Sequence, residues 1–421
     1  MAIASVHRQL LIAALVVLPR LATGQGDPLG PEFRINTYTT GRQGPPSVAA
    51  DSAGNFLVVW ASEGQDGSLY GAFGQRYLAS GVPLGPEFRA NTYTTGYQTA
   101  PIGVLDGSGG FVVVWASDQQ DGSSWGIFAQ RFDAGGAPVG PEFRVNTFTT
   151  GLQAFHSAGS APDGSFVVVW SSYGQDGSDL GVFGQRYDNS GVAVGSEFRV
   201  NTFTTGDQWF VSVGVDSLDN FVVAWTSDAQ DGSASGIVAR RYAASGVPLG
   251  PEFVVNTYTT GYQSAPSVAV GPAGDFVVTW QSYAQDGANW GVFGQRYAST
   301  GGPLGPEFRV NSYTTDDQEY VSVAADPGGN FVIVWTSEGQ DGSFHGVFGK
   351  RFTSAGVPLG DDFQVNTYTY FVEWLPSVAV QPSGDFIVVW ESSAFQEPGG
   401  GSYGQRFGRI VPVGLLDFGV E

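Results

Sequence analysis

Six aspartates recur at one position of a repeated Gln-Asp-Gly loop, and their regular spacing of 55 residues makes them the first candidates for chemistry in this 421-residue chain. They are Asp66, Asp121, Asp176, Asp231, Asp286 and Asp341, and the seventh occurrence of the position holds Gln396. Some copies add an acid three residues earlier, as at Glu63 and Asp118, and calcium prefers such carboxylate oxygens. Other copies carry Tyr173 or Tyr283 there, and Asp-Gly is common in turns. We therefore predict turn residues and no cofactor, and keep a weak metal site for calcium as the alternative.

No catalytic constellation accompanies these aspartates. Beyond the first 24 residues the chain has two histidines, His156 and His345, at unrelated positions of the repeat. It contains no His-Glu-x-x-His or P-loop sequence, and without cysteine it has neither disulfides nor thiolate metal ligands. Two carboxylates are enough for a glycosidase, but acids that recur in six copies are poor candidates for a unique pair. We predict no catalytic residues.

Aromatic residues that depart from the repeat are the better lead to a binding site. Four of the 11 tryptophans lie outside the column of period 55, and tyrosines stand near them. The candidate ligand-binding residues are Tyr97, Trp125, Trp209, Tyr262, Trp290, Tyr320 and Trp374. We expect them in loops that follow every second strand, and hence on one face of the molecule. Exposed rings beside Asn, Gln and Asp suit sugar stacking or protein contact; the alternative is that they cap the edges of the repeats.

The element that positions these residues is a short apolar run ending in tryptophan, first seen as FLVVW at Phe56–Trp60. Its tryptophan returns every 55 residues without insertion or deletion, as Trp60, Trp115, Trp170, Trp225, Trp280, Trp335 and Trp390. Such a run, rich in Val and Phe without a polar break, is typical of a strand covered on both faces. One 55-residue unit cannot provide that cover, so the units must stack on one another.

Each unit contains four candidate strands separated by turn sequences. In the first they are Glu32–Thr37, Ser47–Ala50, Phe56–Ser62 and Gly71–Tyr77. The units cover 30–84, 85–139, 140–194, 195–249, 250–304, 305–359 and 360–414. Four short strands in each of seven units predict an all-β fold, a seven-bladed β-propeller forming one domain over 25–421. A β-solenoid is the alternative; independent sandwich domains are excluded because the unit is too short to bury a core.

The ends of the chain predict how the ring closes. The Glu-Phe strand occurs eight times, counting Glu32–Asn36 and a degraded copy at Asp417–Glu421, whereas the other three strands occur seven times. We predict that the N-terminal copy completes the last blade beside Gly401–Phe407, because joining the two ends removes an exposed edge. No role is assigned to the tail 408–421.

Two columns of arginine account for most of the positive charge. Arg76 falls nearly opposite Glu87 if their strands form a hairpin, which predicts a cross-strand ion pair repeated in other units. The second column, which includes Arg34 and Arg89, lies on the Glu-Phe strand. Charges on an outermost strand discourage edge-to-edge association. We therefore interpret the arginines of both columns as structural residues rather than as parts of a functional site.

The first 24 residues differ from all that follow and predict a cleaved signal peptide. His7 and Arg8 precede the apolar run Leu10–Leu18, and Ala22 and Gly24 stand before Gln25. The run is too short to span a bilayer, and no second apolar stretch predicts membrane insertion. A net charge of −21 argues against nucleic-acid binding. We expect a secreted, acidic, bacterial monomer.

Three recurring sequence motifs, EFRVNTYTTG, FVVVWxSxGQDG and GVFGQRY, resemble repeats of large, mostly uncharacterised secreted bacterial proteins over residues 30–407. The resemblance implies a propeller-like extracellular repeat protein and carries over no catalytic residue. We predict a non-catalytic binding or adhesion propeller whose partner, a carbohydrate or a surface protein, contacts one loop face. The alternatives are a polysaccharide-degrading enzyme that uses loop carboxylates and a purely structural surface repeat protein.

Overall fold

The computed structural model of the chain describes residues 26–393 and 400–411, so the predicted signal peptide at 1–24 lies outside the described residues. The described residues form 28 strands and no helix. The strands build seven antiparallel four-stranded blades, and one parallel bridge between His345 and Val372 joins the sixth and seventh blades into a single sheet. None of the described residues forms a helix that could span a bilayer. The fold prediction is confirmed: this is an all-β, seven-bladed propeller.

Each blade runs from an innermost to an outermost strand. The innermost strands are β2 (Ser47–Ala50), β6 (Gln98–Leu105), β10 (Gln153–Ser160), β14 (Gln208–Val215), β18 (Gln263–Val270), β22 (Gln318–Ala325) and β26 (Val372–Val380). The second strands are β3 (Phe56–Glu63), β7 (Phe111–Asp118), β11 (Phe166–Tyr173), β15 (Phe221–Asp228), β19 (Phe276–Tyr283), β23 (Phe331–Glu338) and β27 (Phe386–Ser393). The ends of all seven innermost strands line a central cavity of about 410 Å³, which marks the axis of the ring.

The outer half of each blade carries the charged edge. The third strands are β4 (Tyr70–Tyr77), β8 (Trp125–Phe132), β12 (Leu180–Tyr187), β16 (Ser235–Tyr242), β20 (Trp290–Tyr297), β24 (His345–Phe352) and β28 (Gly401–Phe407). The outermost are β1 (Phe33–Arg34), β5 (Phe88–Arg89), β9 (Phe143–Arg144), β13 (Ala193–Arg199), β17 (Phe253–Val254), β21 (Phe308–Arg309) and β25 (Phe363–Gln364). Arginines such as Arg89 are exposed at this sheet edge, as predicted.

The hydrophobic core lies between blades rather than within them. All seven tryptophans of the period-55 column are fully buried in second strands. Each of the seven core clusters joins two neighbouring blades; one packs Val114 of the second blade against Trp170 of the third. Another packs Trp60 of the first blade against Val389 of the seventh. Burial of each such side chain contributes about 1.5–3 kcal/mol, and every blade depends on its neighbours for it.

The N-terminal strand closes the ring, as predicted. Phe33 and Arg34 of β1 pair with Gly404 and Tyr403 of β28, so the seventh blade is β26-β27-β28-β1. By contrast, β5, the outermost strand of the first blade, comes directly after the other three strands of that blade in sequence. The degraded copy at Asp417–Glu421 lies outside the described residues.

The predicted Arg76–Glu87 ion pair is wrong. The Arg76 guanidinium instead donates to the carbonyls of Ala134 and Gly135, at 2.5 and 2.6 Å, in a turn of the next blade. A Cβ at Gly136 would lie 3.0 Å from this guanidinium, so the glycine leaves it room. The Glu87 carboxylate accepts from the Thr37 backbone N–H at 2.9 Å. Arg76 and Glu87 thus each tie their blade to a neighbouring one through backbone groups, which no hairpin offset within one blade can reveal.

Candidate functional site

The Gln-Asp-Gly aspartates are turn residues in the structure. Asp66 Oδ1 accepts from the Ser68 N–H at 3.1 Å, and its Oδ2 accepts from Asn91 Nδ2 at 3.1 Å. An asparagine recurs at the position of Asn91 in every unit. The other five aspartates accept from such an asparagine in the same way. Each aspartate therefore ties the loop to the chain that leaves the outermost strand. Among the described residues no group of three or more His, Cys, Asp or Glu side chains could hold a metal ion; calcium binding stays an untested alternative.

One end of the propeller, which we call the aromatic face, carries two sets of loops. They are the Gln-Asp-Gly loops, such as 64–69, and the crossing loops from each outermost strand to the next innermost strand, such as 90–97. Both sets lie at the same end because neighbouring strands of a blade are antiparallel. A backbone hydrogen bond of 2.9 Å from Asp118 to Tyr97 joins the end of a second strand to such a crossing loop.

The candidate tryptophans lie at strand ends on this face, and their predicted placement in loops is wrong. Trp125 and Trp290 begin β8 and β20, whereas Trp209 and Trp374 lie within β14 and β26. All four are half-buried. In β14 the ladder already begins at Gln208, a glutamine that recurs in six units and here pairs with Ser227, so Trp209 lies within the strand. The candidate tyrosines are more open: Tyr97 and Tyr320 are each 37% exposed and Tyr262 is 56% exposed.

The candidate aromatics form separate groups rather than one continuous ring. Tyr97 contacts Tyr70 and Trp125, with ring centroids 5.9 and 6.2 Å apart, and so joins the first and second blades. Tyr283 and Trp290 meet at 5.4 Å in the fifth blade. Further pairs lie at other blade junctions: Tyr320 with Trp374 at 6.4 Å and Phe155 with Trp209 at 5.8 Å. Most of these groups bridge neighbouring blades.

A strained bulge in the innermost strands adds aromatics that sequence reasoning missed. The register of six innermost strands shifts just after the recurring glutamine, as between Trp209 and Ser212. At each shift one non-glycine residue has a positive φ of 48–54°: Ala100, Phe155, Phe210, Ala265, Tyr320 and Leu375. A positive φ is costly for bulky residues. A bulge also changes the direction in which the neighbouring side chains point. Here the bulges place the ring centroid of Phe210 4.2 Å from that of Trp209 and 5.1 Å from that of Phe155. The available signal was the variability of that position among the repeats.

The seventh blade carries buried glutamates at two positions where no other unit has an acid. Glu373 stands where the other six blades have glutamine, and its carboxylate accepts from Trp390 Nε1 at 2.7 Å and Ser392 Oγ at 2.9 Å. Burial raises the pKa of Glu373 to about 8 despite these two hydrogen bonds. Glu391 occupies the position of Ala61 and is fully buried. Burial also raises the pKa of Glu391, against the opposing effect of Arg42.

Arg42 joins the first blade to Glu391 on the aromatic face. Its Nε donates to Glu391 Oε1 at 2.7 Å, and its guanidinium carbon lies 5.6 Å from the centre of the Trp374 ring. Its backbone N–H donates to Glu63 Oε2 at 2.9 Å. The Arg42 side chain is 50% exposed. Sequence reasoning missed Arg42, Glu373 and Glu391; the signal was their departure from the residues of the other units.

The opposite face holds the mouth of the central cavity, and among the described residues its exposed large apolar side chains include no aromatic ring. Asp51, Asp106, Asp216 and Asp326 line the cavity. Their carboxylates are occupied by turns: Asp51 Oδ1 accepts from the N–H groups of Ala53 and Asn55 at 2.9 and 2.8 Å. The exposed aromatic groups therefore make the aromatic face the candidate binding face.

Comparison with known proteins defines the class through the fold alone. No protein-family model and no curated protein matches the chain by sequence. A protein of unknown function from Dyadobacter fermentans matches with a TM-score of 0.55 and 10% identity, over 92% of this chain and 100% of that one. The β-propeller domain of the Trilobed protease from Pyrococcus furiosus matches with a TM-score of 0.51 and 9% identity, over 91% and 100%. The polysaccharide lyase Uly1 matches with a TM-score of 0.50 and 10% identity, over 85% and 90%.

Proposed function

We propose that this protein is a secreted, non-catalytic binding or adhesion propeller that holds carbohydrate on its aromatic face. The observation that carries the proposal is the set of partly exposed aromatic groups at blade junctions of one face, such as Tyr70, Tyr97 and Trp125. Aromatic rings that combine an apolar face with a polar neighbourhood suit the stacked, hydrogen-bonding surface of a sugar. Secretion rests on the predicted signal peptide at 1–24.

A polymeric glycan fits this arrangement better than one small molecule. The aromatic groups repeat around the ring, and each offers a small, similar contact. Weak contacts that are linked in one molecule gain strength when the ligand also repeats. A crowded cell surface or an extended polysaccharide presents such a ligand.

The acids of the seventh blade do not favour the enzymatic alternative. Glu373 pairs across the ladder with Ser392, and Glu391 pairs with Trp374. Adjacent positions of a strand point to opposite faces of its sheet. Glu373 therefore faces the sixth blade with Trp390, whereas Glu391 faces Arg42 of the first blade. The two carboxylates do not meet in one cleft as an acid–base pair requires.

A glycan array probed with the protein from residue 25 onward tests the proposal. We expect binding to a family of polysaccharides and weaker binding after the paired substitution Trp125→Ala/Trp290→Ala. Leu218→Ala removes an apolar side chain that is 72% exposed on the opposite face and serves as the control. Failure of the unaltered protein to bind any glycan, or equal losses in the control, would contradict the proposal. Capture of a surface protein instead would favour the protein-binding alternative.

A further inference from the structure

Arg42 presents a fixed and largely unused guanidinium to the aromatic face. It is the one basic residue in the Gln-Asp-Gly and crossing loops of this face. Its Nε is bound to Glu391, whereas Nη1 and Nη2 have no hydrogen-bond partner among the described residues. The side chain is half exposed. Donors on the two Nη atoms are therefore free for a ligand.

The guanidinium is held in place before any ligand arrives. Glu391 is fully buried, so its carboxylate cannot follow the arginine into solvent. The Trp374 ring lies 5.6 Å from the guanidinium carbon, beside its cross-strand partner Glu391, and Tyr320 packs edge-on against Trp374. A donor that is already ordered loses less entropy on binding than a free side chain. The junction of the seventh and first blades thus combines a fixed cation with an aromatic pair.

The position of Arg42 within the repeat links it to ligand contact. The second and fifth units place Tyr97 and Tyr262 at the same position, and both are exposed on the aromatic face. Arg42 therefore stands where two of the six other units present an aromatic ring; the remaining four have Leu152, Asp207, Asp317 and Val372. The change from a ring to a guanidinium replaces a stacking surface by a fork of hydrogen-bond donors.

We propose that Arg42 binds the carboxylate of a uronic acid unit while the sugar lies beside Trp374. This inference rests on the proposed carbohydrate-binding function. A planar guanidinium matches a planar carboxylate through two parallel hydrogen bonds. Among the described residues the acids that act on Arg42 are Glu391 and Glu63, and they are already bonded to its Nε and to its backbone N–H. More distant acids of this negatively charged protein are screened at physiological salt.

Binding of three immobilised polymers tests the inference: oligogalacturonate, neutral galactan and sulfated galactan. We expect the unaltered protein to prefer oligogalacturonate. Arg42→Gln should weaken that interaction roughly 10- to 100-fold, the range for hydrogen bonds to charged groups, and leave galactan binding unchanged. Arg42→Lys keeps the positive charge but loses the paired donors of the guanidinium. Its affinity for oligogalacturonate should therefore lie between those of the unaltered protein and of Arg42→Gln. Arg89→Gln removes the same charge from the exposed edge of the first blade and is the matched control.

Loss of Arg42 leaves Glu391 buried without its partner and can weaken the fold. The paired substitution Arg42→Gln/Glu391→Gln removes that charge and must show the same loss of oligogalacturonate binding. An equal loss with Arg89→Gln would overturn the inference, because bulk charge would then explain it. Equal, Arg42-dependent binding of sulfated galactan would overturn the assignment to a carboxylate. Binding of galactan without uronate preference overturns this inference alone, whereas binding of no polysaccharide also overturns the proposed function.

Discussion

The carboxylate of Glu32 accepts a hydrogen bond of 2.8 Å from the backbone N–H of Thr367, 335 residues away. Between the first and second blades the equivalent bond, from Thr92 to Glu142, spans 50 residues. Seven repeats of 55 residues separate Glu32 from Asp417, the matching residue of the degraded copy. The first Glu-Phe strand therefore takes the place that the last copy would hold in a simple linear array.

Removal of the closing strand should destabilise the whole ring. Deletion of residues 25–37 is expected to lower the melting temperature by several degrees or more, because it removes the buried side chain of Ile35 and exposes the edge of β28. Circular dichroism melts check this. Ile35→Ala is a milder form, expected to cost about 2–5 kcal/mol, and Ala90 at the equivalent position of the next unit shows that alanine fits there. An unchanged melt of the deletion variant would contradict the closure.

Tryptophans of the two classes should respond differently to truncation. Trp170 is fully buried, so Trp170→Ala is expected to cost about 3–5 kcal/mol of unfolding free energy. Trp125 and Trp290 are half-buried at strand ends, so their paired replacement by alanine should cost clearly less than Trp170→Ala. Urea unfolding followed by fluorescence measures both. If the paired variant unfolds as readily as Trp170→Ala, those rings are scaffold and the binding face has been misassigned.

Chelation should leave stability unchanged. Both carboxylate oxygens of Asp66 are used by Ser68 and Asn91, and the other aspartates of the loop bond to asparagine in the same way. If these aspartates act only as turn residues, EDTA should shift the melting temperature by no more than about a degree, because no bound ion would then contribute to stability. A drop of many degrees that calcium restores would make these aspartates ligands.

Stability should fall as the pH rises through the range in which Glu373 titrates. Its pKa is raised from 4.5 to about 8, so the folded state binds a proton that the unfolded state has lost. The resulting stabilisation is full below about pH 4.5 and is lost as the pH approaches 8. Burial raises the pKa of Glu319 to about 7, which adds a contribution of the same sign.

Glu373→Gln separates these contributions, because glutamine is the residue of the other six blades at this position. The variant should melt at a higher temperature than the unaltered protein at pH 8, and the gap should narrow toward pH 5. Melts at pH 5, 6.5 and 8 provide the comparison. A gap that is constant with pH would show that Glu373 does not titrate in this range.

Much of the fold follows from the sequence because its determinants are local and repeated. The run Phe56–Trp60 specifies a strand covered on both faces, and the turn sequences around it specify its neighbours. Copy number then determines the number of blades. The surplus Glu-Phe strand at Glu32 was enough to predict closure, since an unpaired edge is unfavourable.

The candidate site was only partly predictable. Variability among the repeats pointed to Trp209 and Trp374, but it did not show that a bulge with positive φ sets Phe210 against Trp209. A bulge depends on the register between two strands, and the register is settled by packing across the whole blade.

Contacts between blades were decided by the tertiary structure alone. Arg76 has an acid nearly opposite in its own hairpin, yet it donates to carbonyls of the next blade. Arg42 and Glu391 are 349 residues apart in sequence and meet only because the ring closes between the seventh and first blades. The sequence alone determined the strands, the repeat and the number of blades, since those depend on patterns within one unit. Which charged groups meet depends on distances between units, and closure of the ring sets those distances.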